Sequence, residues 1–332
     1  MRLLADRHHS DLFYGLQRLF EDRLSLELYT PIGHDWWTEG YWQFGAVFGD
    51  DRLARQYLDL AWREVEPGLH LGFDNLHPER PIYGVTVAAA REMRWDFVSA
   101  SVQENQAGMA RFAAEAGARY LYHVGNARQQ VDLSLSPLIL NAAEADTPPE
   151  RTAFVGQEFD WQTTFRYQEP APSRRITSAM NLLPGVPEAA VPWTELAAAL
   201  PDWEFRSYGH SCPDGFLAPV QAVADAMARS AWAFHCKPTG DGFGHVIHNW
   251  AAIGRPLIGR GSYYGGQRAS PLWDDMRTAV DLDRHTIAEA AEIIGGLSVS
   301  EHMAMCRAIR GRLEAIYDPA GDAERVAALL GL

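Results

Sequence analysis

Lysine is nearly absent from this chain. Of 29 Lys plus Arg, one is a lysine, Lys237, and the remaining 28 are arginines. Compositional drift is a poor account of that one position, which is read either as a specific anion contact or as a plain surface charge. Cysteine is as scarce. Cys212, Cys236 and Cys306 are three, widely spaced and without a CxxC pair, so neither a disulfide framework nor a structural zinc site is expected. Positive charge is in deficit overall, with 43 Asp plus Glu and a formal net charge of −14. Such a surface repels phosphate backbones and anionic lipids on average, which argues against general nucleic-acid binding while leaving a nucleic-acid acceptor open. No run of about 18 apolar residues occurs, so no spanning helix is expected. Charges and histidines break up the opening MRLLADRHHSDLF before a signal-peptide core could form, and the expected location is the cytoplasm.

What is present is the material of a folded α/β protein. With 332 residues and 47% hydrophobic content, the chain has enough apolar side chains for about two domains. A strand over Arg2 to Ala5, a polar loop over Asp6 to Asp11, a helix with Leu12, Phe13, Leu16, Leu19, Phe20 and Leu24 on one face, and a strand over Leu26 to Thr30 follow in order. This βαβ rhythm predicts a parallel sheet, with ligand-binding loops at the carboxyl ends of its strands. It recurs in Trp95 to Val102 (strand), MARFAAEAGA (helix) and Arg119 to Val124 (strand). His34 to Glu79 reads as irregular. Its aromatic residues Trp36, Trp37, Tyr41, Trp42 and Phe44 are expected in the core, with sugar stacking as the rival reading. Two prolines and several polar residues in Phe165 to Ser173 mark a domain break. Beyond it a second βα alternation runs to the end, with no repeat and no low-complexity tract.

The most informative segment is HCKPTGDGFGHVIHNWAAIGRPLIGRGS, His235 to Ser262. A strand ends at Cys236, and Gly240, Gly242 and Gly244 permit a tight turn before a new helix. Free N–H groups and the positive end of a helix dipole suit a phosphate there, and Lys237 adds a cation at the same edge. No GxGxxG follows a strand with an acidic residue at the proper distance, so a Rossmann dehydrogenase is disfavoured. His245 and His248, three apart, share a helix face. A zinc pair is the lesser reading, because no third ligand lies nearby.

The string GDGFGHVIHNWAAIGRPLIG resembles the donor-binding segment of GT-B glycosyltransferases, particularly the retaining family four type, written EGFG, a helix, then A-x-G-x-P and an apolar strand. Asp241, Gly242, Phe243 and Gly244 match the first part, and Ala252, Gly254 and Pro256 the second. The tail AVDLDRHTIAEAAEIIGGL and the helices after it are similar to that fold's C-terminal half. The resemblance implies two Rossmann-like doubly wound domains facing a central cleft: an acceptor-side domain over 1–168, a donor-binding domain over 169–318 and a C-terminal helix over 319–332. It further implies transfer of a sugar from a nucleoside diphosphate, with no cofactor beyond that co-substrate and no essential metal. Asp241 stands where the family's first glutamate approaches the donor sugar, and Asn249 where the second contacts ribose. Both depart from the pattern, one by a methylene and one by a charge. Asn181 falls where donor phosphate or ribose is bound, and Gly209 with His210 where the base would sit.

Glycosyl transfer needs stabilisation of the departing diphosphate and management of the acceptor proton. Lys237, the amides of Gly242 to His245 and Arg260 are candidates for the first, and so is a protonated His245 ring, whose rival reading is a plain helix-end histidine. For the second, His8 and His9 in the loop after the first strand are candidate bases, beside Asp11 and Ser10, which could instead cap the helix. Glu158 and Asp160 are further candidates on the acceptor side. Tyr263 and Tyr264 offer donor contacts or plain packing, and Glu104 and Asn105 a cap or acceptor contacts. The acceptor is not legible. An epimerase or hydrolase on the same fold, or a sugar-nucleotide-binding protein without turnover, are the alternatives.

Overall fold

The computed structural model describes residues 1–7, 10–42, 60–126, 129–238 and 240–332. Residues Arg2–Ala5 form β1, and because successive side chains of a strand point to opposite faces, Leu4 enters one core cluster while Leu3 and Ala5 enter another. All three are essentially inaccessible, as expected of a central parallel strand covered on both sides. The other strands of this sheet are β2 (Glu27–Pro31), β3 (Arg63–Glu66), β4 (Leu69–Phe73), β5 (Pro81–Val85), β6 (Phe97–Ala100), β7 (Arg119–Val124), β8 (Leu138–Asn141) and β9 (Thr152–Phe154). Their spatial order is β3-β4-β5-β2-β1-β6-β7-β8-β9, parallel from β5 to β9. The chain steps from β1 to β2 on one side and later returns to β6 on the other, so the order reverses at the β1–β6 seam.

Part of the segment read as irregular is regular. β3 and β4 are an antiparallel hairpin extending the sheet, and all four residues of β3 are exposed. A strand with no buried face carries no alternating pattern, which is why it escapes a sequence reading. The ring of Trp62 lies over the neighbouring β4 and β5, where a Cβ at Gly72 or Gly84 would fall 2.7 or 2.8 Å from it. Of the aromatic group, Trp36, Tyr41 and Trp42 are buried and Trp37 is partly exposed; Phe44 lies outside the described residues. Trp36 packs edge-on against Phe112 at 4.9 Å and donates its indole N–H to the Val85 carbonyl at 2.8 Å. These three rings belong to the core.

Contacts divide the chain into one unit of Met1–Phe159 with Pro319–Leu332, and a second of Asp160–Asp318. The terminal helix Pro319–Leu330 joins the first unit by seating Ala323, Val326 and Leu330 beside Leu3 and Phe20, and Asp322 accepts the Gly156 N–H at 2.7 Å. The second unit holds a five-stranded parallel sheet of β10 (Arg175–Ser178), β11 (Glu204–Ser207), β12 (Trp232–Phe234), β13 (Leu257–Gly259) and β14 (Ala279–Asp281), in the order β11-β10-β12-β13-β14. Its order reverses at the β10–β12 seam. Helices Ile287–Gly296 and Val299–Ile316 both begin with capping boxes, Thr286 with Glu289 and Ser298 with Glu301.

Arg255 follows the Gly254 cap of helix His245–Ile253 and is wholly buried. No carboxylate among the described residues bonds it. Its guanidinium donates to the carbonyls of Gln168 and Ala228, each at 2.8 Å, and of Ile253 at 3.1 Å and Gly254 at 3.2 Å. Carbonyls at helix C-termini carry partial negative charge, so two helix ends and the segment after residue 160 are tied by one cation. No helix among the described residues is long and apolar enough to cross a membrane.

Candidate functional site

In an open parallel sheet the loops at a strand-order reversal diverge and leave a crevice at the carboxyl ends. At the β10–β12 seam that edge carries Asn181 after β10 and the run His235 to Gly244 after β12. Asp241 is the hub of this run. One of its oxygens meets His235 Nε2 at 2.8 Å, and the other pairs with the ammonium of Lys237. Burial alone would raise the Asp241 pKa, but the bonds from His235 and Lys237 outweigh it and hold the carboxyl well below the usual carboxylate range. Asp241 is therefore an anion at any physiological pH. Lys237 is nearly half exposed at 46% of its side chain, whereas Asp241 is at 15% and His235 at 2%. The cation faces outward and the histidine stands behind.

The turn itself is glycine-dependent. Gly240, Gly242 and Gly244 have φ of +69°, +72° and +76°, a left-handed run that residues with a Cβ adopt only at a cost. Gln267 braces it from a later loop, accepting the Gly242 N–H at 3.1 Å and donating to the Tyr263 carbonyl at 3.2 Å. The buried Tyr264 stacks on Trp273 at 4.9 Å and accepts the Lys237 N–H at 3.3 Å. Tyr264 is thus part of the scaffold. Arg260 is engaged with Asp283 and the Leu282 carbonyl, both at 3.1 Å.

Gly244 caps the helix His245–Ile253, whose two histidines differ. His248 is buried, lies flat on Phe243 at 4.1 Å and bonds the Gly244 carbonyl through Nδ1 at 3.0 Å. Burial lowers its pKa to about 4, so it is a neutral core group. His245 is half-buried and meets Phe243 edge-on at 5.1 Å. Asn249 is partly buried, and its side-chain oxygen has no hydrogen-bond partner among the described residues. An acceptor left in that state is what a donor from a ligand would satisfy.

Beside this lies a second loop pair. Asn181 accepts the His210 N–H at 2.9 Å, His210 in turn accepts the Leu182 N–H at 2.8 Å, and the Gly209 N–H goes to the Gly215 carbonyl at 2.8 Å. These bonds lock the ends of β10 and β11 together. The exposed His210 ring stacks on the equally exposed Phe216 at 4.6 Å, forming a small aromatic platform. A planar base could lie on such a platform.

In the first unit the β1–β6 seam is occupied by Asp6, which is buried and accepts Ser101 N–H at 2.6 Å, Asn105 Nδ2 at 2.8 Å and the Ser101 hydroxyl. Burial raises its pKa to about 6 in spite of those bonds. The folded state therefore retains a proton that the unfolded chain has already lost, so the contribution of Asp6 to stability is full below about pH 4 and is lost as pH rises through 6. Measured against Asp6→Asn by urea unfolding, the wild type is expected to lose about 3 kcal/mol between pH 4 and pH 7. A difference that stays constant over that range would contradict the assignment.

His8 and His9, the candidate bases, lie outside the described residues. Among the described residues Asp11 meets His77, at 3.0 Å through Nε2, whose ring lies flat on Tyr14 at 3.9 Å. Arg7 pairs with Asp74, both nearly inaccessible, and Asp74 also accepts the Ser10 hydroxyl at 2.6 Å. None of these long-range pairs had a sequence signal, because Asp74 and His77 come from the stretch that reads as irregular. Glu158 is buried between Arg23, at 2.6 and 2.7 Å, and Arg18, at 3.2 Å. That geometry makes it an anchor for the segment after helix Ser10–Gln17. Asp160 belongs to the second unit and accepts the hydroxyls of Thr163 and Thr164 in a turn.

Lys237 and Asp241, both named from the sequence, come together in the fold, and they are joined by His235, which is not singled out from the sequence although it carries its own signal: a strand-end histidine six residues before an aspartate, across a glycine turn.

Solved structures share this architecture over nearly the whole chain. HepE of Anabaena, in complex with UDP and glucose, superposes with a TM-score of 0.64 at 13% identity, over 99% of both chains. TarM of S. aureus gives 0.64 at 8% identity, over 100% of this chain and 99% of that one. A glycosyltransferase from Rickettsia africae gives 0.64 at 8% identity, over 99% and 97%. The fold is that of the GT-B glycosyltransferases. No family model and no curated protein matches the sequence. In the GT-B frame the glycine turn after β12 and the loops after β10 and β11 belong to one edge of the second Rossmann-like unit.

Proposed function

We propose that the protein is a glycosyltransferase that takes a sugar from a nucleoside diphosphate, with the donor held by the second unit. One observation carries this reading: the chain's single lysine and a charged aspartate stand together at the head of a left-handed glycine turn. A diphosphate finds there a mobile cation, backbone N–H groups and the positive end of a helix. The Asn249 oxygen, without a partner among the described residues, suits a ribose hydroxyl, and the His210–Phe216 platform suits the base. Uridine is the first base to test, since HepE has been solved with UDP and with UDP-glucose. The spelling from Asp241 to Gly244 and from Ala252 to Pro256 favours the retaining family four type.

Lys237 and the helix terminus supply the positive potential that a metal would otherwise bring, so the proposed reaction needs neither metal nor cofactor. Calorimetric titration with UDP, GDP, ADP, dTDP and CMP, with and without magnesium, tests the reading directly. One nucleoside diphosphate is expected to bind selectively in both conditions, and failure of all five would overturn it. Lys237→Ala is expected to weaken that binding by about 1.5–3 kcal/mol, the worth of a charge-assisted bond. Unchanged affinity would remove Lys237 from the site.

A further inference from the structure

Lys237 is already bonded, and its partner is an anion. Asp241 Oδ1 takes the ammonium, while Asp241 Oδ2 is held at 2.8 Å by His235 Nε2. The two holds differ in kind. His235 is buried directly after β12, its backbone N–H bonded to the Ile258 carbonyl at 2.9 Å, and it cannot move without disturbing the sheet. Its Nδ1 has no hydrogen-bond partner among the described residues, so Asp241 is the one polar group this ring addresses there. Lys237, by contrast, carries its ammonium on a four-carbon stem with many rotamers, and its side chain is nearly half exposed. An ion pair with one fixed and one mobile member comes apart on the mobile side.

Resting on the donor reading above, we propose that Lys237 is shared in turn between two anions, Asp241 and the diphosphate of an incoming nucleotide, and that His235 is the positioning residue that keeps Asp241 in place when the lysine leaves. The exchange has a chemical consequence. A diphosphate with several negative charges outcompetes one carboxylate for the ammonium. Asp241 Oδ1 is then released as a free acceptor at the moment when a donor sugar, and its hydroxyls, are in the site. Free nucleoside diphosphate and Asp241 compete for Lys237, whereas a nucleotide sugar takes Lys237 and satisfies Asp241 as well. The site would thereby prefer the loaded donor over the spent one.

The test reads sign as well as size. Binding of UDP and of inorganic pyrophosphate is measured by calorimetry for the wild type, Asp241→Asn, Lys237→Ala and the double variant. Removing the competing carboxylate is expected to tighten both ligands about fivefold, as for a partly exposed ion pair. The gain is expected to vanish in the Lys237→Ala background. Asp241→Asn binding unchanged or weaker overturns the exchange, since a carboxylate that merely braces the lysine gives that result. His235→Phe keeps the buried ring and removes the bond. It is expected to weaken pyrophosphate about threefold with Asp241 present, because the unheld carboxylate leans on Lys237, and to have no effect once Asn replaces Asp241. An equal effect in both backgrounds overturns the positioning role. If His235→Phe does not fold, the Asp241 and Lys237 pair still decides the exchange. Pyrophosphate binding with this pattern and no UDP binding would sustain the exchange and sink the donor reading; binding of neither ligand would sink both.

Discussion

Asp241→Asn is expected to lower turnover of the nucleotide sugar about 100-fold, the usual effect of deleting one preorganised electrostatic contact in a reacting site. Nucleoside diphosphate affinity should not fall with it. His235 and Lys237 keep Asp241 charged, and at 15% side-chain exposure the carboxylate is largely shielded from water. In the proposed reaction a charge so placed would act on the sugar, where positive character develops as the bond to the diphosphate breaks. An asparagine there fills the same space, keeps one acceptor and carries no charge. The measurement is the steady-state rate of diphosphate release, once titration has named the donor. Equal rates would remove Asp241 from the chemistry, whatever its effect on binding.

Asp74→Ala is expected to cost about 3–5 kcal/mol of stability at neutral pH, read by urea unfolding. Asp74 and Arg7 are both 5% exposed, and the serine and backbone bonds to Asp74 complete its shell. Burial raises the Asp74 pKa, but the Arg7 charge and these bonds outweigh it and hold it low. Its contribution is thus present at neutral pH and is lost as pH falls through that depressed value. Alanine leaves a buried guanidinium without this carboxylate, which is the costly half of breaking such a pair. Arg7→Met with Asp74→Leu, removing both charges, should recover most of the loss. A loss below about 1 kcal/mol for Asp74→Ala would show the pair to be solvated in solution.

Strands with both faces covered were legible because they consist of continuous apolar runs, as in β1, β6, β7 and β12. The glycine turn was legible because three glycines in five residues permit backbone that other residues resist. The β3–β4 hairpin was not legible. Its first strand is exposed on both faces and borrows the Trp62 ring where the strands beside it carry glycines.

The same division runs through the site. By its own order the sequence determined that a lysine, an aspartate and a glycine turn adjoin at the head of one helix, because residues within a few positions of each other cannot be far apart. Only the tertiary structure decided which groups turn inward: His248 under Phe243, Glu158 between two arginines, Asp6 against Ser101 and Asn105, and His235 behind Asp241. Those partners lie up to 140 positions apart or point to a face that local pattern does not specify. Burial and charge pairing act through space, so their outcome appears only once the sheets have brought the loops together.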